Sequence, residues 1–412
     1  MNRPVVIVDP ISSGIELAPT FKARGVPAVA VSLQTADWPE FGAQMRKSDF
    51  LEILTDEPGL EERLKQLDPI AILPGTEEGI PLAERLTARL LPQLANDPQK
   101  VAHRAHKALM QRALEDAGVP TLKTHHTGSE EEAAHWLHTQ GMTETSLILK
   151  PPMSSGSEMV FHVPAHGDWR KPFRHILTEP SVLTGVVSQT VVLQEEAMGT
   201  EFAVGTVSAQ GRHYLTHLLE YHKTSVGGRK TVYDFVELVA YDPVRMQGLF
   251  EYVQHALDAL GVRFGPTHTE VMLTAKGPRL IESSARMIGG PVVGFARAAT
   301  GSSQADKLAE IYIDGEVKVP EYVHNRPVVP VFLKATRAGR LSNVEVLDAA
   351  TRLPTFLQKH VWVKNGADVA QTVDYLTAIG IIALVGEREA IFADYQKIRA
   401  MEAELVFTTS PG

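Results

Sequence analysis

Residues 4–9 (PVVIVD) form a short apolar run closed by a polar turn, and 27–33 (PAVAVSL) form a second. Between them, 14–25 (GIELAPTFKARG) carry apolar positions at helical spacing up to Gly25. A helical stretch over 57–67 and a strand over 69–73 (PIAIL) follow, and this alternation predicts a parallel sheet with crossover helices. Residues 1–95 therefore read as one small α/β domain. Pro74-Gly75-Thr76-Glu77-Glu78 lies at the carboxyl end of the last strand, where open α/β sheets place ligand loops. The same five residues also suit a plain turn with an acidic helix start.

From Gln99 to Gly118, apolar Val101, Ala105, Ala108, Leu109, Ala113 and Leu114 recur at helical spacing, predicting one helix ended by Gly118-Val119-Pro120. A second helix is expected over 129–141, capped by Ser129 and acidic in its first turn. Residues 146–150 (SLILK) read as a strand running into Pro151-Pro152 and a Ser/Gly-rich loop. Further strands are expected over 186–195, 202–208 and 213–221, a helix over 245–261, and a hairpin of 268–275 with 278–283 around Lys276-Gly277. Beyond about residue 300 the pattern changes to short strands and an amphipathic helix near 365–378. The expected domains are 1–95, 96–305 with lobes 96–190 and 191–305, and 306–412. The fold class is a multidomain mixture of α/β and α+β.

Composition narrows the chemistry. A chain of 412 residues, 44% of them hydrophobic, has material for two or three packed domains, which argues against disorder throughout. Its 40 Lys+Arg against 49 Asp+Glu give a net charge of −9 with the basic residues scattered, so no footprint for nucleic acid is expected. A small-molecule substrate is expected instead. The absence of cysteine excludes disulfides, thiolate nucleophiles, Fe–S clusters and sulfur-ligated zinc. The apolar run before Asp9 is too short for a signal-peptide core, and no run approaches the ~20 residues of a membrane span. A cytoplasmic protein without a membrane partner is the expectation.

Common signatures fail. Lys230-Thr231 is preceded by Arg229 and completes no G-x-x-x-x-G-K-[ST]; no G-x-G-x-x-G follows the first strand, and neither G-x-S-x-G nor H-E-x-x-H occurs. The 16 histidines form no metal spacing. Three stretches carry more. In Leu147 to Ser157, Lys150 ends a strand, and the loop Ser154, Ser155, Gly156, Ser157 lets backbone N–H groups approach phosphate oxygens while the lysine supplies charge. Taken alone, a charged strand end and an ordinary turn would look the same. In 191–202, polar residues link two strands and Glu201 suits a ribose hydroxyl, although an ordinary hairpin reads equally well. In the 268–283 hairpin, pairing brings Glu270 and Glu282 onto adjacent strands, with Glu270 and Met272 on one face and Val271 on the other. A buried carboxylate needs a partner or a metal, and two such oxygens suit Mg²⁺, which completes its shell with phosphate and water. Arg286 beyond them could grip a carboxylate or an oxyanion. Exposed edge-strand glutamates remain the other reading.

In this order the stretches resemble the ATP-grasp superfamily from about residue 1 to 300. The family signature has a lysine on a helix ending in G-V-P, matched by Lys107, and a lysine before the glycine-rich loop, matched by Lys150. The adenine hinge and ribose glutamate are matched by Gln194, Glu195, Ala197 and Glu201, and the metal carboxylates by Glu270 and Glu282. Ile281-Glu282-Ser283-Ser284-Ala285-Arg286 looks like the L-amino acid ligases, dipeptide synthetases of the bacilysin and tabtoxin type. Two positions depart from the pattern: His106 stands where an aspartate usually precedes the lysine, and Ser284 replaces the asparagine of I-E-x-N-x-R. A serine hydroxyl or a water can still supply an oxygen there.

The resemblance implies an ATP-grasp fold with an N-terminal parallel-sheet domain and a C-terminal α+β domain. It implies ATP and Mg²⁺ as cofactors, with Mn²⁺ able to replace the latter, and joining of two amino acids through an acyl phosphate with release of ADP and phosphate. Substrate recognition is expected in the run Glu220, Tyr221, His222 and Lys223, in the loop up to Lys230, and at Arg286, Gly289 and Gly290, with Glu220 suited to an ammonium group. A homodimer is compatible with it. Another ATP-grasp carboxylate–amine ligase or a biotin-carboxylase-like carboxylase is the alternative within enzymes, and a nucleotide-binding regulatory protein the alternative outside them.

Overall fold

The computed structural model describes residues 3–33, 45–154, 156–182, 184–226 and 229–408. It divides into two compact units, each assembled from separated stretches of chain. The first comprises Met1–Thr121, Phe202–Leu218 and Ala240–His324, the second Leu122–Glu201, Leu219–Val239 and Asn325–Gly412.

The first unit opens with the expected parallel sheet, in the order Phe50–Thr55, Ala28–Ser32, Val5–Val8, Ala71–Pro74. Its central strands read as unbroken apolar runs because both faces are covered. Val5, Ile7 and Leu73 pack on Leu17, Phe21 and Leu308, while Val6, Val8, Val29 and Ile72 pack on Leu64, Leu82 and Leu86. The Phe50–Thr55 strand was not expected from the pattern, whereas the Ile80–Leu90 helix follows the acidic helix start that one reading of Pro74–Glu78 allowed. The strand is an edge with alternating exposure, so it lacks the apolar run that marks its neighbours.

The helix expected from Gln99 to Gly118 is corrected to two, Val101–Ala105 and Lys107–Asp116. His106 between them is extended, with φ −110° and ψ 114°, and its Nδ1 accepts from the Leu109 N–H at 3.4 Å as a side-chain cap. The break makes Lys107 the first residue of the second helix. The hairpin Gly265–Thr274 with Gly277–Ser284 forms as expected, Gly277 turning at φ +90°. The strand order runs from this hairpin through the Phe202–Ala209 part of the next strand to Arg212–Leu218. Gln304 ties these strands from one side, its Nε2 donating to the carbonyls of Thr206 and Thr267 at 3.0 and 2.9 Å.

Gly205 has a steric reason in this sheet. A Cβ there would lie 2.0 to 2.4 Å from three ring atoms of His217, which is fully buried. Burial, with the nearby His268, pushes the His217 imidazole down to about 3 and keeps it neutral. Gly205→Ala is expected to cost about 3 kcal/mol, because overpacking must displace a ring that has no space to move into. Urea denaturation measures it, and an unchanged midpoint would show that the ring gives way.

The second unit holds an antiparallel sheet ordered Thr124–Thr127, Val191–Glu195, Leu147–Lys150, Phe161–Val163. The helix Glu130–Thr139, capped by Ser129 as expected, packs with Arg170–Thr178 on one face, where Ala133, Leu137, Phe173 and Ile176 meet Leu147, Leu149, Val191 and Leu193. Alternation puts Ile148, Lys150, Val192 and Gln194 on the opposite face. The strand expected over 186–195 is shorter, Val191–Glu195.

The C-terminal stretch adds the strands Val328–Leu333, Gly380–Val385 and Phe356–Val361 beyond Arg229–Leu238, and a small sheet of Asp368–Val369, Gly339–Ser342 and Val406–Thr408. The helix expected near 365–378 is corrected: the long helix here is Arg388–Ala403. Local side-chain bonding explains the difference. Thr377 Oγ1 accepts from the Val373 N–H at 2.8 Å, and Asp374 Oδ1 accepts from the Thr377 N–H at 2.9 Å, closing turns that compete with helix. Among the described residues no helix is long and apolar enough to cross a membrane.

Candidate active site

In the first unit the hairpin register sets Glu270 directly opposite Glu282. Val271 turns into the core, while Glu270 and Met272 are half-buried, as the alternation predicts. Glu282 Oε2 lies 3.1 Å from Lys107 Nζ, a lysine delivered by the helix start after His106 and buried at 7% side-chain exposure. Glu270 Oε1 lies 3.3 Å from His268 Nε2. Among the described residues no group of three or more His, Asp or Glu is placed to hold a metal. Two facing carboxylates without a third fit Mg²⁺, an ion that keeps waters and takes phosphate oxygens as ligands.

Arg286 follows the hairpin at 14% side-chain exposure. Its Nε donates to Glu77 Oε2 at 2.8 Å and its Nη1 to the Met287 carbonyl at 2.8 Å. Ser284 Oγ donates to the same Glu77 oxygen at 2.7 Å. Glu77 belongs to the Pro74–Glu78 loop. Gly75 fits under the Asp9 carbonyl so closely that a Cβ would come within 2.2 Å of it, and Thr76 Oγ1 donates to Asp9 Oδ2 at 2.7 Å. Burial would push the Glu77 carboxyl up, but the Arg286 charge, the Ser284 hydroxyl and the Lys107 charge outweigh it and hold the carboxyl below its ordinary value. Burial pushes the Asp9 carboxyl up against its bond from Thr76. Gly289 and Gly290 approach the other loop of this domain, Gly290 N–H donating to Ser12 Oγ at 3.1 Å.

In the second unit Lys150 is buried at 3% exposure at the end of its strand. Gln194, on the same face, donates from Nε2 to Thr124 Oγ1 at 2.9 Å. Glu195 Oε1 accepts from the Lys123 N–H at 2.9 Å, and Ala197 is half-buried in the link to the next strand. Glu201 holds Lys223 Nζ with both oxygens, at 2.7 and 2.8 Å, and that ammonium also lies over the Tyr233 ring at 4.7 Å. In the glycine-rich loop Gly156 and Ser157 are consecutive left-handed residues at φ 63° and 62°. Ser154 precedes them; Ser155 lies outside the described residues. Glu158 behind the loop accepts from Ser181 Oγ at 2.7 Å and from the Val182 N–H.

Glu220 faces Glu237 across paired strands, with His222 Nε2 3.8 and 3.3 Å from their oxygens. The side chains at the far end of this ribbon, through Lys230, lie outside the described residues. Burial opposes ionisation of Glu237, yet His222 and the Arg388 guanidinium, 3.0 Å away, bring its carboxyl down to about 2. A carboxyl depressed in the folded state contributes stability above its unfolded value near 4.5, and this is lost as pH falls toward about 2. Because Arg388 is largely exposed, Arg388→Met is expected to cost only about 0.5–1 kcal/mol at pH 6. Urea melts at descending pH should show that deficit shrinking; a constant deficit would contradict it.

Glu77 and Lys223 are the partners that reading along the chain did not assign. The first lay in the loop singled out after the fourth strand, and the second in the Glu220–Lys223 run, so position signalled both but contact neither.

Comparison with known proteins matches an ATP-grasp domain model to residues 143–294. Dapdiamide A synthase of Enterobacter agglomerans is 28% identical over 415 aligned residues, covering 97% of this chain and 96% of that protein. Among solved structures, an L-amino acid ligase from Bacillus licheniformis superposes with a TM-score of 0.73 at 17% identity, over 100% of this chain and 99% of that one. A carboxyaminoimidazole ribonucleotide synthase from Aspergillus clavatus, complexed with ATP, gives 0.73 at 13% identity over 98% and 99%. Residues 143–294 thus match the ATP-grasp domain, the chain shares its fold with these ligases and synthases, and along nearly its whole length it is similar in sequence to Dapdiamide A synthase.

Proposed function

We propose that the protein joins two unprotected L-amino acids into a dipeptide through an acyl phosphate, consuming ATP and releasing ADP and phosphate. The observation that carries this reading is Glu270 facing Glu282 with Lys107 at 3.1 Å from Glu282. A pair of carboxylates needing phosphate to complete a metal shell, beside a buried lysine, suits transfer of a phosphoryl group. Glu270 and Glu282 would hold Mg²⁺, or Mn²⁺ in its place, which when bound spreads the charge of the phosphates.

The carboxylate oxygen of the first amino acid attacks the γ-phosphorus of ATP, and the bond to the ADP oxygen breaks. The amine of the second then attacks the acyl carbon, phosphate leaves, and the amine loses a proton. Lys107 and Lys150 neutralise phosphate oxygens, assisted by backbone N–H groups of 154–157. Gln194, Glu195 and Ala197 take the adenine and Glu201 the ribose, which requires Glu201 to share or release Lys223. Arg286 steadies the acyl phosphate and the tetrahedral species, Gly289 and Gly290 leave room beside it, and Glu220 and His222 recognise the incoming ammonium end. Residues 1–95, 96–305 and 306–412 would be the N-terminal, ATP-grasp and C-terminal domains of a cytoplasmic enzyme acting on small molecules, with a homodimer compatible.

The test is a screen of amino acid pairs for phosphate release, with nucleotide chromatography and mass analysis of the product. Equal amounts of ADP, phosphate and dipeptide are expected. AMP and pyrophosphate would overturn the acyl phosphate, and ADP release that needs bicarbonate but no amino acid would point to a carboxylase.

A further inference from the structure

We infer that Glu77 is a positioning residue that aims the Arg286 guanidinium, and that Ser284 serves this clamp in place of a metal-binding role. The inference rests on the proposed role of Arg286 at the acyl centre. An arginine carries about 2 kcal/mol of rotamer entropy, so an unheld guanidinium would spend most of its time misaligned. Here the plane is fixed along two edges: Nε donates to Glu77 Oε2 at 2.8 Å and Nη1 to the Met287 carbonyl at 2.8 Å. Neither bond uses Nη2, which keeps its donors for an incoming oxyanion.

Glu77 can act as a fixed post because its loop is wedged. Gly75 sits beneath the Asp9 carbonyl with no space for a Cβ, and Gly14 packs on Gly75 in the same way, a Cβ at Gly14 falling 2.6 Å from the Gly75 Cα. Thr76 Oγ1 donates to Asp9 Oδ2 at 2.7 Å and accepts from the Gly79 N–H at 3.1 Å, tying the loop to the start of the next helix. Ser284 Oγ then donates a hydrogen bond, at 2.7 Å, to the same Glu77 oxygen that accepts from Arg286 Nε. The residue that departs from I-E-x-N-x-R is thus joined to the carboxylate that orients the arginine two positions later.

Steady-state kinetics of Glu77→Gln, Glu77→Asp, Ser284→Ala and Ser284→Asn, each with a Mg²⁺ titration, test this. Glu77→Gln should lower kcat about 10- to 100-fold, since misplacing a catalytic group by about 1 Å costs up to that much, with the KM for ATP and the Mg²⁺ half-saturation within about twofold of wild type. Glu77→Asp should recover part of the loss, and Ser284→Ala should lower kcat several-fold without changing the Mg²⁺ requirement. Wild-type kcat in Glu77→Gln overturns the positioning role, and an increase confined to an amino acid KM shows that Glu77 binds substrate instead. A Mg²⁺ half-saturation raised tenfold or more in Ser284→Ala makes the serine a metal ligand. Exchange of the Arg286 Nε–H, followed by ¹⁵N-arginine NMR and assigned with Arg286→Lys, is independent of turnover. It should be slow in wild type and faster in Glu77→Gln; equal rates overturn the clamp. If no amino acid pair yields ADP from the wild-type protein, the ligase reading fails while the exchange rates still decide whether Glu77 holds Arg286.

Discussion

Glu282→Gln is expected to lower amino-acid-dependent ADP release by about 10³-fold, the scale on which one preorganised charge at a phosphoryl or acyl centre counts. The substitution keeps the size of the side chain and an acceptor oxygen for Lys107, and removes only the charge. In the proposed site, the oxygen facing Glu270 across the hairpin would then no longer hold a divalent cation as a carboxylate would. Stability should move far less. Lys107 keeps a hydrogen-bond acceptor 3.1 Å away, and the Glu77 carboxylate, whose own ionisation Lys107 favours, remains in its surroundings. A loss of about 1–2 kcal/mol in urea is expected, below the cost of stranding a buried charge with no acceptor. Turnover near that of wild type at saturating Mg²⁺ would remove Glu282 from the metal site. A protein that fails to fold would assign the residue to the pairing of Lys107 alone, which Glu282→Ala combined with Lys107→Met would then relieve.

What could be read along the chain and what could not follow from the range of the contacts. The hairpin carrying Glu270 and Glu282 is local: its turn residues and its period of two sit within twenty residues of sequence, so both the facing pair and the placing of Val271 on the opposite face were legible. The parallel sheet was legible for the same reason, because strands covered on both faces are continuous apolar runs. His106 hid the helix break, since the apolar spacing on either side of it is unbroken and only its cap to Leu109 shows that a second helix starts at Lys107. The bond between Arg286 and Glu77 spans 209 positions, and no periodicity records such a contact. The C-terminal helix was misplaced because turns closed by Asp374 and Thr377 imitate a helical pattern of apolar residues while satisfying the backbone with side chains. Contiguous domains are also what reading in order gives, whereas each compact unit gathers three separated stretches.

Lys150→Met should cut kcat/KM for ATP by about 10²- to 10³-fold while changing the thermal stability far less. The two effects differ in size because the desolvation cost of a buried ammonium offsets part of what its contacts contribute to stability. It ends the Leu147–Lys150 strand at 3% exposure, opposite Val192 and on the face away from the helices, where its neighbours along the strands are Ile148 and Gln194. Methionine keeps the length and most of the volume of the stem, so the packing on Val192 persists, and the desolvation cost of an ammonium disappears. Loss of the charge falls most heavily on a state that brings anionic oxygens to the strand end, beside the left-handed Gly156 and Ser157. Arginine should not rescue it, since a planar fork needs room that a compact ammonium does not. Paired measurements of melting temperature and ADP release decide the matter: a large fall in stability with turnover preserved would make Lys150 a structural charge, and unchanged values of both would leave the phosphate oxygens to Lys107 and the loop.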